Sequence, residues 1–183
     1  MRAPAESLAA AASDCCYHCG EAVPAGEDFS IEIGGSTRPM CCPGCRAVAG
    51  LIAANGLDTF YQQRTAYSER PLESDPGTRE QYLIYDDPEV AATFCEQTDD
   101  GLVAARLLLS GVTCAACTWL IEQSLSSVPG VKNALVNLQQ SRLDIRFDAQ
   151  ITPLSDIFGQ LYALGYSPQP FQTSPQREQM EQE

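Results

Sequence analysis

The chain has 183 residues, of which 44% are hydrophobic and 19% are charged, and its formal net charge is -13. It is long enough for one ordinary domain or two small ones and apolar enough to bury a core. The acidic balance excludes a nucleic-acid or anionic-membrane partner, since such surfaces attract clustered Lys and Arg. The longest apolar run, LVAARLLLSGV, contains an arginine and is far shorter than the roughly 20 residues of a membrane helix. The chain is therefore expected to be soluble and cytoplasmic.

The front of the chain contains most of its cysteines and little apolar periodicity. Residues 1–14 are predicted to be a flexible tail, and residues 15–68 a cysteine-rich domain. Within this domain FSIEI, residues 29–33, alternates like a strand before a glycine pair that favours a turn. A helix is expected after the second group of cysteines, with Gly56 as its C-cap.

Residues 69–101 are predicted to be a linker that contains one short helix. Its first part gathers Pro, Gly, Ser and charges without apolar periodicity. Asp87, followed by proline and glutamate, has the residue types of a helix start. The ninth cysteine, Cys95, is expected on that helix as a small apolar residue.

Residues 102–171 have the sharpest pattern of strands and helices. The predicted elements are a strand LVAARLLLS, a helix with Cys117 to Val128 on its apolar face, strands VKNALVNL and SRLDIRFD, a helix that begins at Thr152 and Pro153, and an edge strand YSPQPF. This βαββαβ order is the ferredoxin-like arrangement, in which two helices cover one face of a four-stranded antiparallel sheet. The whole chain is therefore predicted to be α+β, and residues 172–183 to be a C-terminal linker.

Two cysteine pairs in the front domain have the spacing of a metal site. Cys16 and Cys19 form one CxxC, and Cys42 and Cys45 form another. Two such pairs complete a tetrahedral four-thiolate site of zinc-ribbon type, most often for zinc. Three neighbours could replace a ligand in this shell: Cys15, Cys41 and His18. A single histidine beside such a pair is more often a supporting residue than a ligand.

This site is expected to hold the front domain together. A segment of roughly 40 residues with few apolar side chains does not readily offset its chain entropy by burial. A structural zinc can contribute on the order of 10 kcal/mol to such a fold. Chelation is therefore expected to unfold the front domain and to leave residues 102–171 folded.

Cys114 and Cys117 lie in GVTCAAC, in the first strand-to-helix loop of the βαββαβ unit. The first helical N–H groups and the helix dipole would stabilise two converging thiolates there. Two soft thiolates with no nearby histidine or carboxylate select Cu(I) over hard cations. The pair is therefore predicted to be an exposed Cu(I) site, and a redox couple or a pair of small buried residues remain as alternatives.

Longer motifs extend this interpretation to a family. The segments GVTCAACTWLIE, VPGV, VNLQ and LGY together closely resemble the heavy-metal-associated domain of copper-transporting P-type ATPases. CYHCG, CCPGC and YDDPEV resemble the cysteine-rich N-terminal region of one branch of these pumps. That branch is similar to the cation pumps that supply copper during assembly of haem–copper oxidases.

The resemblance implies a copper-binding module. Cys114 and Cys117 match the pair that binds the transported ion, and Tyr166 matches an aromatic position near it. The usual methionine two positions before the first cysteine is Val112 here. A full pump has membrane helices and a phosphorylated aspartate in DKTG, which this sequence lacks, so the chain alone is not expected to hydrolyse ATP. It resembles the cytoplasmic N-terminal segment of such a pump.

The implied partners are a copper donor and the membrane-embedded core of the pump, and the implied metals are Cu(I) and zinc. A stand-alone copper chaperone or metal sensor is an alternative that fits the same residues. A thiol oxidoreductase that uses Cys114 and Cys117 is a less favoured one, because that motif usually occurs in a βαβ context.

Overall fold

The computed structural model describes residues 15–71 and 79–171. The predicted tails, 1–14 and 172–183, lie outside the described residues. In chain order the elements are β1 (Ile31–Ile33), β2 (Ser36–Arg38), α1 (Pro43–Ala54), α2 (Thr59–Gln63), α3 (Arg79–Tyr82), a 3-10 turn (Leu83–Asp86), α4 (Pro88–Ala91), β3 (Cys95–Gln97), β4 (Val103–Ser110), α5 (Ala115–Ser126), β5 (Val131–Asn137), β6 (Arg142–Phe147), α6 (Leu154–Ala163) and β7 (Ser167–Pro170). Among the described residues, none of the helices has the length and apolar character needed to cross a membrane.

The C-terminal domain confirms the predicted ferredoxin-like fold. Its strands are antiparallel and lie in the order β7, β4, β6 and β5, with α5 and α6 as the two connecting helices. Alternate residues of β4 face the core, where Ala105, Leu107 and Leu109 are buried. The helices contribute Leu120 and Phe158 to the same core. Side chains alternate between the two faces of a strand, and each helix has one apolar face. Together these faces form a single buried layer between the sheet and the helices.

The predicted linker contributes to this domain. The helix expected at Asp87 is confirmed, since its carboxylate accepts hydrogen bonds from the N–H groups of the first turn. The position expected for Cys95 is wrong, because the helix ends at Ala91 and Cys95 begins β3. β3 pairs antiparallel with β4, with Cys95 opposite Ala105, and adds a fifth strand to the sheet. Helix α4 has only four residues from its start at Pro88, so it ends before Cys95.

Aromatic side chains fix the segment before β3 onto the sheet domain. The ring of Tyr85 stacks on that of Phe158 with centroids 4.4 Å apart, and Tyr82 lies 5.4 Å from the same ring. Phe94 also packs edge-on against Tyr85. Such contacts contribute beyond simple area burial. Residues 79–101 are therefore packed structure rather than a free connection.

The front domain contains the predicted hairpin and helix. Strands β1 and β2 pair across Gly34 and Gly35, whose φ angles of 56° and 75° suit a tight hairpin turn. Helix α1 follows the second group of cysteines and ends before Gly56, which has φ 68°. These three glycines occupy a region that other residues rarely adopt.

The two domains share one continuous core. Helix α1 contacts α6, and α2 contacts α5. The side chain of Val48 lies 3.5 Å from the point where a Cβ on Gly165 would stand. The front domain is therefore packed against the end of the sheet domain that carries the loop of Cys114.

Gly130 is expected to be the glycine of the sheet domain that least tolerates a side chain. It has φ 84°, and an added Cβ would lie 2.9 Å from Ile151. Gly130→Ala should lower the free energy of unfolding by about 2–4 kcal/mol, through the left-handed backbone and the overlap together. Urea unfolding followed by the fluorescence of Trp119 would measure it.

Gly101→Ala is the matched control, because Gly101 has φ 79° but no heavy atom within 4 Å of its Cβ position. It should cost only about 1–2 kcal/mol from the backbone term. Equal losses in the two variants would show that the overlap with Ile151 relaxes freely.

Candidate metal centres

Four thiols of the front domain converge on one point. Cys16 and Cys19 lie on the loop before β1, Cys41 follows β2, and Cys45 lies in the first turn of α1. All four sulfur atoms lie within 4.8 Å of one another. The Sγ–Sγ distances are 3.5 Å from Cys19 to Cys41 and 3.7 Å from Cys45 to each of these two. We call this group the front cluster.

The predicted ligand set named Cys42, but the structure places Cys41 in the cluster instead. Cys42 is the N-cap residue of α1, and its Sγ accepts a hydrogen bond from the backbone N–H of Cys45 at 3.4 Å. A side chain at the N-cap position folds back onto the first helical turn. Cys41, one residue earlier, points its thiol to Cys19 and Cys45. The CxxC spacing therefore named Cys42, whereas the cluster of sulfur atoms contains Cys41.

The thiols of the front cluster resist full ionisation without a cation. Hydrogen bonds from Cys19 and Cys45 lower the pKa of Cys16 far below that of a free thiol. Contacts with Cys16 and Cys19 raise the pKa of Cys45 far above its usual value, because a second thiolate would face the first. Burial and the contact with Cys19 raise the pKa of Cys41. A bound cation would stabilise the additional thiolates.

The geometry of the front cluster fits a four-coordinate thiolate site. A tetrahedral ion with Zn–S bonds of about 2.3 Å requires sulfur atoms about 3.8 Å apart. The three contact distances among Cys19, Cys41 and Cys45 are 3.5, 3.7 and 3.7 Å. Cys16 and Cys45 are fully buried, so the site is enclosed by protein. An enclosed set of four ligands is typical of structural rather than catalytic sites.

His18 lies beside the cluster but outside this group of four. Its Nδ1 is 3.0 Å from the hydroxyl oxygen of Tyr61. Burial, and secondarily the charge of Arg64, lowers the pKa of His18 to about 4. A neutral, buried imidazole held by a tyrosine supports the Cys16–Cys19 turn. This arrangement agrees with the expectation that a histidine next to a cysteine pair is a supporting residue.

Cys114 and Cys117 form the second candidate centre. Cys114 is the N-cap residue of α5, and Cys117 lies in its first turn. Both are free thiols, and their sulfur atoms are 3.7 Å apart. The hydroxyl of Thr113 lies 3.5 Å from the Cys117 sulfur. The strand-to-helix loop therefore brings the two predicted thiols together, at a helix N-terminus where negative charge is stabilised.

This pair is buried, so the expectation of an exposed site is wrong. Cys114 is 4% exposed and Cys117 is 0% exposed. The front domain supplies part of the cover, because α2 contacts α5 and the backbone N–H of Thr65 faces the Cys114 sulfur and lowers its pKa. Tyr166, the predicted aromatic neighbour, is also buried and contacts Cys117. The pattern GVTCAAC contained no information on what packs above it.

The environment of Cys114 favours its thiolate. Burial opposes ionisation, but N–H donors from Thr65, Ala116 and Cys117, together with the Cys117 thiol, outweigh it and lower the pKa of Cys114. A thiol of lowered pKa at a helix N-terminus is a better metal ligand and a better nucleophile. The site can therefore bind a soft cation or take part in thiol exchange.

The two remaining cysteines lie apart from both centres. Cys15 forms an isolated β-bridge with Ala22 at the start of the front domain. Cys95 is half-buried at the start of β3, where burial raises the pKa of its thiol to about 12. A thiol of raised pKa is a poor nucleophile and a poor metal ligand.

Sequence reasoning missed Arg64 and Thr65. Arg64 is almost completely buried and donates to the backbone carbonyl oxygens of Tyr17 and His18. Both residues lie within YQQRTAY, which contains no cysteine, histidine or carboxylate side chain. Their roles depend on contacts with segments 46 and 49 positions away in sequence, and no local signal could have identified them.

Comparison with known families agrees with these two centres. Residues 15–99 match the family model of the putative metal-binding domain of cation transport ATPase. Residues 106–167 match the model of the heavy-metal-associated domain. The front cluster lies within the residues matched by the first model, and Cys114 and Cys117 lie within those matched by the second.

Individual proteins that are similar in sequence to parts of this chain include copper-transporting ATPases. A copper-exporting P-type ATPase of Staphylococcus haemolyticus is 41% identical over 69 residues, which are 38% of this chain and 9% of that protein. The copper-transporting ATPase HMA4 of Oryza sativa subsp. japonica is 28% identical over 137 residues, 72% of this chain and 14% of that protein. This chain thus spans only a small part of the length of these relatives.

A solved structure also matches the heavy-metal-associated domain. It is the N-terminal domain of a potential copper-translocating P-type ATPase from Bacillus subtilis in the Cu(I)-loaded state. Its sequence identity is 29%, its TM-score is 0.37, and the match covers 39% of this chain and 90% of that one.

Proposed function

We propose that this chain is a Cu(I)-binding module of a copper-translocating P-type ATPase. Cys114 and Cys117 bind the transported ion, and the module passes it to the pump core or adjusts the turnover of the pump. A copper donor protein and the membrane-embedded core are its partners, on the cytoplasmic side of the membrane. The parent pump belongs to the branch that supplies copper during assembly of haem–copper oxidases, as the paired cysteine motifs suggest.

One observation carries the proposal: two free thiols 3.7 Å apart at the N-terminus of α5. Two soft sulfur ligands suit a monovalent copper ion of low coordination number. Two-coordinate binding also allows exchange, because an incoming donor thiolate can add before one of the resident thiolates leaves. The ion is then never free in solution.

The front cluster has a different role in this proposal. Four clustered thiols, three of them buried, suit a resident zinc ion that stabilises the front domain. Zinc would be held there by Cys16, Cys19, Cys41 and Cys45, the group whose sulfur atoms lie within 4.8 Å of one another. Such a closed site leaves no open position for a substrate.

Copper titration tests the second centre. The double variant Cys114→Ser, Cys117→Ser should bind one fewer tight equivalent of Cu(I) than the parent chain, because it lacks both thiolate ligands of that ion. The measurement is an anaerobic competition titration against a chromophoric Cu(I) chelator. Cys95→Ser is the matched control and should retain full stoichiometry. Unchanged tight binding in the double variant would exclude this site.

Thiol oxidoreduction is a second candidate, and the lowered pKa of Cys114 favours it. It requires that Cys114 and Cys117 form a reversible disulfide, and that the chain use electrons from a small dithiol to reduce the disulfide of another protein. An insulin reduction assay distinguishes the two functions. Rapid turnover by the parent chain, lost in Cys117→Ser, would support the oxidoreductase and count against a copper role.

A further inference from the structure

Part of the front domain covers the second metal centre. Helix α2, which ends just before Arg64, contacts α5, the helix that Cys114 caps, and the backbone N–H of Thr65 faces the Cys114 sulfur. A carboxylate oxygen of Glu69 lies 3.7 Å from the Cβ position of Gly111, at the start of the Cys114 loop. The side chain of Pro71 lies 4.0 Å from the Cβ position of Gly165. We call residues 64–71 the cover segment.

The cover segment is tied to the front cluster through Arg64. Its guanidinium donates to the carbonyl oxygen of His18 at 2.8 Å and also to that of Tyr17. These two residues lie between the cluster cysteines Cys16 and Cys19. The cation is buried, so its hydrogen bonds are worth more than those of an exposed arginine. The position of Arg64 therefore follows the backbone of the Cys16–Cys19 turn.

Aromatic contacts strengthen the same connection. The Arg64 guanidinium lies 4.9 Å from the ring centroids of Tyr17 and Tyr61, and 5.1 Å from that of Tyr67. Tyr67 belongs to the cover segment and packs on Gly20, where an added Cβ would lie 2.8 Å from its ring. A desolvated cation over aromatic faces is held more firmly than a surface one.

We propose that the cover segment is a gate on the Cys114–Cys117 centre and that Arg64 latches it to the front cluster. This inference rests on the proposed function of both centres. An ion in the front cluster fixes the Cys16–Cys19 turn, which holds Arg64, and Arg64 holds the cover segment against the loop of Cys114. A donor protein that docks on Cys114 must displace the cover segment. By linkage, displacement of the segment also weakens ion binding in the front cluster.

The alkylation rate of Cys114 in the full chain tests the gate. In a Cys117→Ser background Cys114 is a single thiol and does not chelate zinc with its former partner. We expect a pulse of N-ethylmaleimide, read by peptide mass spectrometry, to modify Cys114 at least about tenfold faster after zinc chelation than with one equivalent of zinc. Cys95 in the same samples is the internal reference and should change little. Equal rates of Cys114 modification with and without zinc would overturn the latch.

A second variant tests the cover without Cys117→Ser. Thr65→Pro removes the N–H that faces the Cys114 sulfur and constrains the backbone of the cover segment, and the side chain of Thr65 is exposed. With zinc present and both thiols intact, it should raise Cys114 alkylation at least about tenfold. Thr65→Ala keeps the N–H and should behave like the parent chain. Parent-like protection in Thr65→Pro would show that the sheet domain alone shields Cys114.

The outcomes separate this inference from the proposed function. If the double variant Cys114→Ser, Cys117→Ser loses one Cu(I) equivalent but Cys114 alkylation does not depend on zinc, only the gate is rejected. If Cys114 alkylation depends on zinc but the double variant keeps its full copper stoichiometry, only the copper assignment is rejected.

Discussion

Cys41→Ser is expected to abolish tight zinc binding by the front domain. Cys41 contributes one of four sulfur atoms within 4.8 Å of one another, and serine does not replace a thiolate ligand. Since structural zinc binding in small domains is worth on the order of 10 kcal/mol, loss of one ligand should weaken affinity by several orders of magnitude. Competition with a chromophoric zinc chelator, with metal analysis of the purified protein, would measure this.

Cys42→Ser is the matched control for this prediction. Cys42 lies one residue away in CCPGC, outside the cluster, and caps α1 through its sulfur. Serine is a strongly preferred N-cap residue, so the cap is retained. Zinc binding should therefore remain that of the parent chain. Loss of zinc in Cys42→Ser with retention in Cys41→Ser would restore the ligand set predicted from CxxC spacing.

Removal of zinc is expected to unfold the front domain and leave the sheet domain folded. The front domain has two three-residue strands and two helices, α1 and α2, and three of its buried residues are cluster thiols. Metal–thiolate bonds would then offset a large part of its chain entropy. The sheet domain has a five-stranded sheet and a core that contains Phe147 and Phe158.

Two optical signals separate the domains in this experiment. Trp119 in α5 is the single tryptophan of the chain and reports on the sheet domain. Tyr17, Tyr61 and Tyr67 surround Arg64 in the front domain, so we expect their rigid rings to contribute a near-ultraviolet circular dichroism signal. Chelation should remove the tyrosine signal and leave a cooperative thermal transition of Trp119. Simultaneous loss of both signals would show that the shared core makes the chain one folding unit.

These two predictions bear on how the module works. If zinc maintains the front domain, it also maintains the surface that covers Cys114. The Cys114–Cys117 centre would then be accessible only when a partner, or loss of zinc, moves the cover segment.

Much of the fold follows from local pattern. The alternation of Leu107 and Leu109 in β4 and the proline-glycine stop after α5 identify the βαββαβ unit, because strand and helix periods are properties of short segments. The close approach of Cys114 and Cys117 follows likewise, since three positions at a helix start bring two side chains together. Cys95 was misplaced because a helix start at Asp87 does not determine where the helix ends.

The sequence by itself determined the ferredoxin-like unit, the presence of two thiol centres and the identity of the cysteines in the second one. Only the tertiary structure decided that Cys41 rather than Cys42 joins the front cluster, because the direction of an N-cap side chain depends on where the helix begins. Only the tertiary structure likewise decided that Cys114 is buried. Part of its cover comes from the front domain around Thr65, 49 positions earlier, and such a contact depends on the packing of two domains rather than on any local spacing.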